Sequence, residues 1–197
     1  MIAGVKRRSR VLAEGPARVL GQLGFTPNAL TIVGSLLTAS VGLLVAQGWF
    51  LAAALCLWLF SLTDTLDGAL ARATNRVSAF GAFLDSVCDR YAEAAIFLGL
   101  VWWYQVHADL VGVAVAYVAV IGSLMVSYAR ARAEGIGLQA ADVGWFQRPE
   151  RIALLGLGLL VAQFIPVALL VVLAALAVLT TVTVLQRVVH VARATRS

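Results

Sequence analysis

The stretch from Ile152 to Gln186 contains no charged residue. As a single helix rising 1.5 Å per residue it would be about 50 Å long, well beyond the roughly 30 Å hydrocarbon core of a bilayer. Pro166 lies near its middle and cannot donate a backbone hydrogen bond, so it is the natural break between two helices. The stretch therefore predicts two membrane spans that follow each other directly.

Apolar segments of similar length recur along the whole chain. Of its 197 residues 61% are hydrophobic and 13% charged, with a mean hydropathy of +0.92. Because a spanning helix needs about 20 apolar residues, this length accommodates roughly six spans. We therefore expect an all-α integral membrane fold of six transmembrane helices, a single domain over residues 1–197 with the bundle at 26–190. The predicted spans are residues 29–47, 50–70, 83–104, 110–130, 150–165 and 167–187.

Basic residues are confined to alternate connections between these spans. All fifteen Lys and Arg lie in the N-terminal segment, in residues 72–90, in residues 130–151 and after residue 186. By the positive-inside rule we expect both termini and both basic loops in the cytoplasm, in a multi-pass protein of the cell membrane. The net charge of +5 then reflects topology and attraction to lipid, and no nucleic acid partner is expected.

The N-terminal segment has an amphipathic pattern. Residues 6–24 alternate basic side chains with Val and Leu. This pattern predicts a juxtamembrane helix within residues 1–25, lying in the cytoplasmic membrane interface. A basic tail without a fixed structure is the alternative.

Four aspartates lie at the predicted cytoplasmic ends of the second and third spans. Asp64 and Asp67 are three residues apart and Asp85 and Asp89 are four apart, so each pair occupies one face of its helix. Acidic side chains inside a membrane are costly and usually functional. If the two helices face each other, all four carboxylates converge.

Converging carboxylates need cations beside them. Two like charges 4 Å apart repel by about 4 kcal/mol even at an effective dielectric constant of 20. Oxygen ligands without His or Cys favour Mg²⁺ or Mn²⁺, and two such ions about 4 Å apart are usual in phosphoryl chemistry. The sequence therefore predicts a site for two divalent ions on these four aspartates. Ion pairs with Arg72, Arg76 or Arg90 are the alternative.

Residues 64–89 carry a long gapped motif. The string DTLDGALARATNRVSAFGAFLDSVCD fits D-x2-D-G-x2-A-R-x8-G-x3-D-x3-D at all eight fixed positions. In this motif the chain resembles the CDP-alcohol phosphatidyltransferase family. The resemblance implies a six-helix homodimer that transfers a phosphatidyl-type group from a CDP-activated lipid to an alcohol, in a cavity open to the cytoplasm.

The same resemblance implies residue roles around the metal ions. Asp64, Asp67 and Asp85 would bind the first ion, and Asp64, Asp85 and Asp89 would surround the second. Asp89 would also act as the general base.

It further implies contacts to the CDP-lipid. Residues 27–31, at the start of the first span, resemble the segment that in this family closes over the cytidine and diphosphate of the donor. A helix N-terminus at this position also favours phosphate. Asn28 as a simple N-cap is the alternative for that position. The implied contacts are Asn28, Ala29, Leu30, Thr31, Gly68, Arg72 and Ser78.

Arginines in the second half of the chain indicate a phosphorylated acceptor. Arg130 and Arg132 end the fourth span, Arg148 and Arg151 open the fifth, and Arg187 lies near the end of the sixth. A neutral alcohol gives little reason for so many guanidinium groups, whereas several of them can bind a phosphorylated polyol bidentately. Flanking charges that only set the topology are the alternative.

The strings SYARARAE (127–134) and RPER (148–151) resemble those of the phosphatidylinositol phosphate synthase branch of the family. That branch condenses CDP-diacylglycerol with inositol 1-phosphate, although it often has Lys where this chain has Arg130. Phosphatidylglycerophosphate synthase, using glycerol 3-phosphate, is the alternative enzyme, and an ion or metal transporter is the alternative outside the family. The implied acceptor contacts are Ser127, Arg130, Arg132, Arg151 and Arg187, with Arg148 beside them.

Overall fold

Helices form the described fold. The computed structural model describes residues 15–17, 19–140 and 143–196, and within these ranges it contains no β-strand. The all-α prediction is therefore confirmed. The helices are α1 (described at residues 15–17 and 19–22), α2 (Pro27–Ala46), α3 (Phe50–Ser61), α4 (Thr63–Ala73), α5 (Ala79–Val106), α6 (Leu110–Gly135), α7 (Arg148–Ala162) and α8 (Val167–Ala194).

The long uncharged stretch divides where its proline predicts. α7 ends at Ala162, and Pro166 occupies the N-cap position of α8. The amide oxygen of Gln163, in the connection, accepts a hydrogen bond from the backbone N–H of Leu51 at 3.1 Å. A polar side chain next to the break thus satisfies a backbone donor at the start of α3.

The predicted second span is interrupted at Leu62, which separates α3 from α4. The Ser61 hydroxyl donates to the carbonyl of Trp58 at 2.8 Å, and the Thr63 hydroxyl donates to that of Phe60 at 2.6 Å. Such side-chain bonds compete with the backbone ladder of a helix. The interruption makes α4, which carries the first aspartate pair, a helix with its own beginning.

Among the described residues, four helical segments are long and apolar enough to cross a membrane: Pro27–Ala46, Phe50–Ala73, Leu110–Gly135 and Val167–Ala194. The chain is accordingly a membrane protein. α5 has 28 residues but carries charged side chains in its first half. α7 has 15 residues, about 22 Å at the usual rise. The count of six spans therefore stays a prediction.

The chain forms two compact units. Unit 1 contains the described residues within Met1–Val41 and Cys56–Ile96, and unit 2 contains those within Gly42–Leu55 and Phe97–Ser197. The single domain over residues 1–197 stays a prediction.

In unit 1, α1 packs against α4. Ala17 is fully buried in one cluster with Ala69 and Leu70, and Leu30 and Leu66 pack against that cluster. Residues 1–14 of the predicted interfacial helix lie outside the described residues. Its amphipathic, interfacial character stays a prediction.

Also in unit 1, α2 approaches α4 closely at a glycine. A Cβ atom on Gly34 would overlap the side chain of Thr63. Small residues allow helices in a membrane to approach in this way. The approach lets side chains from the first half of α2 reach the acidic face of α4.

In unit 2, α8 packs against both α6 and α7. A Cβ on Gly122 of α6 would overlap the hydroxyl of Thr180 on α8, and one on Gly158 of α7 would lie 2.7 Å from a methyl of Val172. Glycine therefore sets the spacing of these helices, as it sets that of α2 and α4.

Candidate active site

Three aspartates of unit 1 come together as the sequence predicts. Asp64 of α4 and Asp85 and Asp89 of α5 each offer a carboxylate oxygen, and these oxygens all lie within 4.8 Å of one another. Asp89 is buried and the other two are half-buried. We call these three residues the aspartate group.

Asp67 lies beside this group with a partner of its own. It is 7% exposed, and its Oδ2 accepts a hydrogen bond from the Thr31 hydroxyl at 2.6 Å. Asp67 is also near enough to Asp64 and Asp85 to be repelled by both. The structure thus assembles three predicted ligands within one ion's reach and holds the fourth next to them.

The donor set of the aspartate group fits a hard divalent cation. Carboxylate oxygens from two helices converge, as Mg²⁺ and Mn²⁺ require. Their mutual repulsion, with no cation between them, would oppose folding. Arg90 Nη1 lies 3.9 Å from Asp89 Oδ2. The alternative, in which these aspartates form ion pairs with arginines, is therefore met at Asp89 by one long contact.

A cavity of about 270 Å³ in unit 1 opens beside Asp67 and Asp85. We call it the unit 1 cavity. The residues predicted to contact a CDP-lipid that line it are Asn28, Thr31, Gly68, Arg72 and Ser78.

Two predicted contacts lie elsewhere. Leu30 packs into the cluster between α1 and α4, and Ala29 is exposed with its N–H bonded to the Thr26 hydroxyl at 3.2 Å. Both follow from the helix period, because consecutive residues of α2 point in different directions. Residues 28 and 31, three apart, share the face that lines the cavity.

The cap of α2 is Thr26, which accepts the Ala29 N–H. The alternative role of Asn28 as an N-cap is therefore wrong. The Asn28 side-chain oxygen instead lies 3.3 Å from where a Cβ on Gly81 would be. Because Gly81 has no side chain, the Asn28 amide can lie against the start of α5 at the cavity wall.

The unit 1 cavity combines positive and negative groups. Both α2 and α5 begin at it, so the positive ends of two helix dipoles border the space. At the start of α5, the Ser78 hydroxyl accepts the Gly81 N–H at 3.0 Å, which leaves its own proton free to donate. Asp67 and Asp85 lie in the same wall. A wall that combines helix N-termini with carboxylates suits an anion that binds together with cations.

Sequence reasoning missed Arg76, Val77 and Ala82 in the cavity lining. Asn75 has a φ of 53°, and the N–H of Arg76 bonds to the carbonyl of Ala71 at 2.8 Å. This left-handed helix end turns the chain back, so that Arg76 lines the cavity together with Arg72. Asn followed by Arg within the eight variable positions of the motif was the available signal, since Asn tolerates left-handed backbone.

The predicted acceptor arginines all belong to unit 2, where three of them cluster. Arg151 of α7 and Arg187 of α8 are 2% and 3% exposed. Arg130 of α6 and Arg151 are near enough to Arg187 to repel it, and Glu134 is near enough to attract it. We call Arg130, Arg151 and Arg187 the arginine cluster. Arg151 and Arg187 are buried and Arg130 is exposed, and like charges brought together from three helices favour an anion between them.

Protein groups already bind Arg187 and Arg130 of the arginine cluster. Arg187 donates from Nε to the carbonyl of Val143 at 2.9 Å and from Nη1 to that of Val126. Arg130 Nε pairs with Glu134 Oε1 at 2.9 Å. Among the other predicted contacts, Ser127 and Arg148 are half-buried and Arg132 is exposed.

Sequence reasoning also missed two side chains that fix the connection before α7. The Thr183 hydroxyl accepts the N–H of Phe146 at 3.3 Å, and the Gln186 amide oxygen accepts that of Trp145 at 3.2 Å. Polar residues near the end of an apolar helix were the signal for them. With Arg187, they tie α8 to the segment that leads into the RPER string.

The model of the CDP-alcohol phosphatidyltransferase family matches residues 25–194. The chain belongs to this family. It is therefore a phosphatidyltransferase enzyme, and the transporter alternative is wrong.

Named relatives of the chain include bacterial and archaeal proteins. Phosphatidylinositol phosphate synthase of Corynebacterium glutamicum is 37% identical over 194 residues, which cover 96% of this chain and 88% of the relative. Archaetidylinositol phosphate synthase of Pyrococcus horikoshii is 39% identical over 159 residues, which cover 79% of this chain and 80% of the relative. The phosphatidylinositol phosphate synthases are the branch that the acceptor strings indicate.

Solved structures agree with the fold. A crystal structure of Mycobacterium tuberculosis phosphatidylinositol phosphate synthase with CDP-DAG bound has a TM-score of 0.85 and 37% identity, covering 91% of this chain and 92% of that chain. Another structure of that protein, in complex with manganese and citrate, also has a TM-score of 0.85 at 37% identity and covers 91% of this chain and 88% of that chain.

Proposed function

We propose that this chain transfers the phosphatidyl group of CDP-diacylglycerol to inositol 1-phosphate, forming phosphatidylinositol phosphate and CMP. The observation that carries the proposal is the aspartate group beside a cavity with two helix N-termini and two arginines. The names of the relatives support the donor and the acceptor.

Asp64, Asp67, Asp85 and Asp89 would hold two divalent ions, Mg²⁺ or Mn²⁺. When bound, such ions neutralise the pyrophosphate of the donor and the charge that develops on the leaving CMP. The manganese in the M. tuberculosis structure supports this ion type.

The unit 1 cavity would hold the donor's nucleotide and pyrophosphate. Arg72 and Arg76 supply planar donor groups for the phosphate oxygens, and the helix N-termini at Pro27 and Ala79 add N–H groups and positive dipole ends. Gly68 leaves room for the ligand beside α4, where a Cβ would lie 3.4 Å from Arg72 Nη1.

Asp89 would be the general base. It accepts the proton of the attacking inositol hydroxyl while that oxygen bonds to the lipid-side phosphorus, and the bond from this phosphorus to the CMP oxygen breaks. Its burial and its place in the aspartate group support this role. The reaction balances without a covalent phosphoryl-enzyme.

The arginine cluster, with Ser127, Arg132 and Arg148, would bind the phosphate of the acceptor. Arg151 and Arg187 are buried cations that repel each other, and a phosphate dianion between guanidinium groups would offset that repulsion. A free alcohol would offset none of it. The cluster therefore favours inositol 1-phosphate over inositol.

The proposal includes the membrane arrangement. We propose a homodimer in the cell membrane, with six spans and an interfacial N-terminal helix in each chain, and with both termini and the site in the cytoplasm. The distribution of basic residues and the family support this arrangement. The four described segments that meet the length and composition of a span also support it.

A comparison of acceptors tests the proposal. Purified protein in detergent with CDP-diacylglycerol and Mg²⁺ or Mn²⁺ is expected to release CMP fastest with inositol 1-phosphate. This acceptor has the phosphate dianion that free inositol lacks, and the names of the relatives favour it over glycerol 3-phosphate. Faster release with free inositol would contradict the role of the arginine cluster. Faster release with glycerol 3-phosphate would establish the alternative enzyme, a phosphatidylglycerophosphate synthase.

A further inference from the structure

Thr31 of α2 makes an unusual hydrogen bond for a threonine inside a helix. Its Oγ1 lies 2.6 Å from Asp67 Oδ2 and 3.1 Å from the carbonyl oxygen of Pro27. A hydroxyl has one proton, and the shorter bond to a carboxylate is the stronger. Thr31 therefore donates to Asp67 rather than to its own helix.

Thr38, on the same helix, shows the ordinary arrangement. It is 4% exposed, and its hydroxyl donates to the carbonyl of Gly34, four residues earlier, at 2.9 Å. Threonines in helices commonly bond to this carbonyl. The two buried threonines differ in that one of them reaches a carboxylate on another helix.

Thr31 and Asp67 are both largely buried, at 8% and 7% exposed, although both border the unit 1 cavity. The Thr31 hydroxyl holds Oδ2, and the Gly68 N–H also hydrogen-bonds to the Asp67 carboxylate, so the orientation of this carboxylate is constrained. The repulsion from Asp64 and Asp85 would otherwise turn Asp67 away from them.

We infer that Thr31 is a positioning residue that orients Asp67 as a ligand of the divalent metal site. The inference rests on the metal site of the proposed function and assigns Thr31 a different task from the predicted contact to the CDP-lipid. Hydrogen bonds to metal ligands commonly matter in this way, and their loss costs about 10- to 100-fold in metal affinity.

The test is Mn²⁺ binding to the full-length protein in detergent, measured from the electron paramagnetic resonance signal of free Mn²⁺. Thr31→Val keeps the shape of the side chain and is expected to weaken Mn²⁺ binding by about 10-fold or more. Thr31→Ser, which restores the hydroxyl, should bind Mn²⁺ nearly as the wild type does. The matched control Thr38→Val removes a buried hydroxyl of the same helix and should leave Mn²⁺ affinity unchanged.

A double-mutant cycle separates positioning from a general effect on the fold. In an Asp67→Asn background, Thr31→Val should cause little further loss of Mn²⁺ affinity, because the oriented ligand is already gone. The inference would be overturned if Thr31→Val and Thr38→Val had equal Mn²⁺ affinities. It would also be overturned if Thr31→Val lowered the Mn²⁺ affinity as much in the Asp67→Asn background as in the wild type. Mn²⁺ binding needs no substrate, so it is measured independently of the acceptor. If Thr31→Val weakens Mn²⁺ binding but inositol 1-phosphate is not the preferred acceptor, the proposed function is refuted and the inference about Thr31 stands.

Discussion

Replacing Asp89 by Asn is expected to lower kcat with inositol 1-phosphate by about 10²- to 10⁴-fold, the contribution of a general base. The amide keeps the size of the side chain but cannot accept the hydroxyl proton at neutral pH. Binding of the CDP-lipid should persist, because Asp89 does not line the unit 1 cavity and because Asp64, Asp67 and Asp85 would still hold the first ion. Single-turnover CMP release and equilibrium binding of CDP-diacylglycerol measure the two effects separately.

Asp109→Asn is the matched control for this variant. Asp109 caps α6 by accepting the Gly112 N–H at 2.8 Å, and Asn caps helices about as well as Asp. The same chemical change there should leave kcat unaltered. An Asp89→Asn enzyme with wild-type kcat would remove Asp89 from the role of base.

Arg151→Gln is expected to raise the KM for inositol 1-phosphate by roughly 30-fold or more, since truncating one partner of a buried charge pair costs about 2–5 kcal/mol. The KM for CDP-diacylglycerol should change little, because the residues that line the unit 1 cavity do not include Arg151. Initial rates over a grid of both substrate concentrations measure the two constants.

Arg193→Gln serves as the control for Arg151→Gln. Arg193 is an exposed arginine in the last turn of α8 and lies outside the arginine cluster, so its loss should leave both KM values unchanged. If Arg151→Gln raised the two KM values equally, a general disturbance of the protein would replace acceptor binding as the explanation.

The aspartate group is predictable from the sequence because its information is local. Asp64 with Asp67, and Asp85 with Asp89, have the spacing of neighbours on one helix face. The cost of carboxylates in an apolar chain then requires them to find partners. The helix boundaries follow from the same local signals, such as Pro166 between α7 and α8.

Contacts across helices are beyond such local reasoning. Nothing in the sequence indicates that the Thr31 hydroxyl bonds to Asp67 while that of Thr38 bonds to its own helix. The difference arises because α2 and α4 approach closely at Gly34. A residue type limits the possible partners, and only the packing selects one.

Arg187 illustrates the same limit in unit 2. Its position near the end of a span predicts an anion contact, but the structure also assigns its guanidinium to the carbonyls of Val126 and Val143. Five N–H groups allow one arginine to hold a connection in place and still face a ligand. Thr183 and Gln186 stand out in the sequence only as polar residues near the end of an apolar helix, which does not indicate the groups that they bond.

The fate of the acceptor's own phosphate tests the central claim most directly. Inositol 1-phosphate labelled with ³²P would be incubated with CDP-diacylglycerol, divalent metal and the purified protein. We expect one CMP for each labelled lipid formed, with the label removable from the lipid by a phosphomonoesterase, because the hydroxyl attacks and the acceptor's phosphate stays a monoester. CMP released without labelled lipid, or label that resists the phosphomonoesterase, would contradict the proposed transfer.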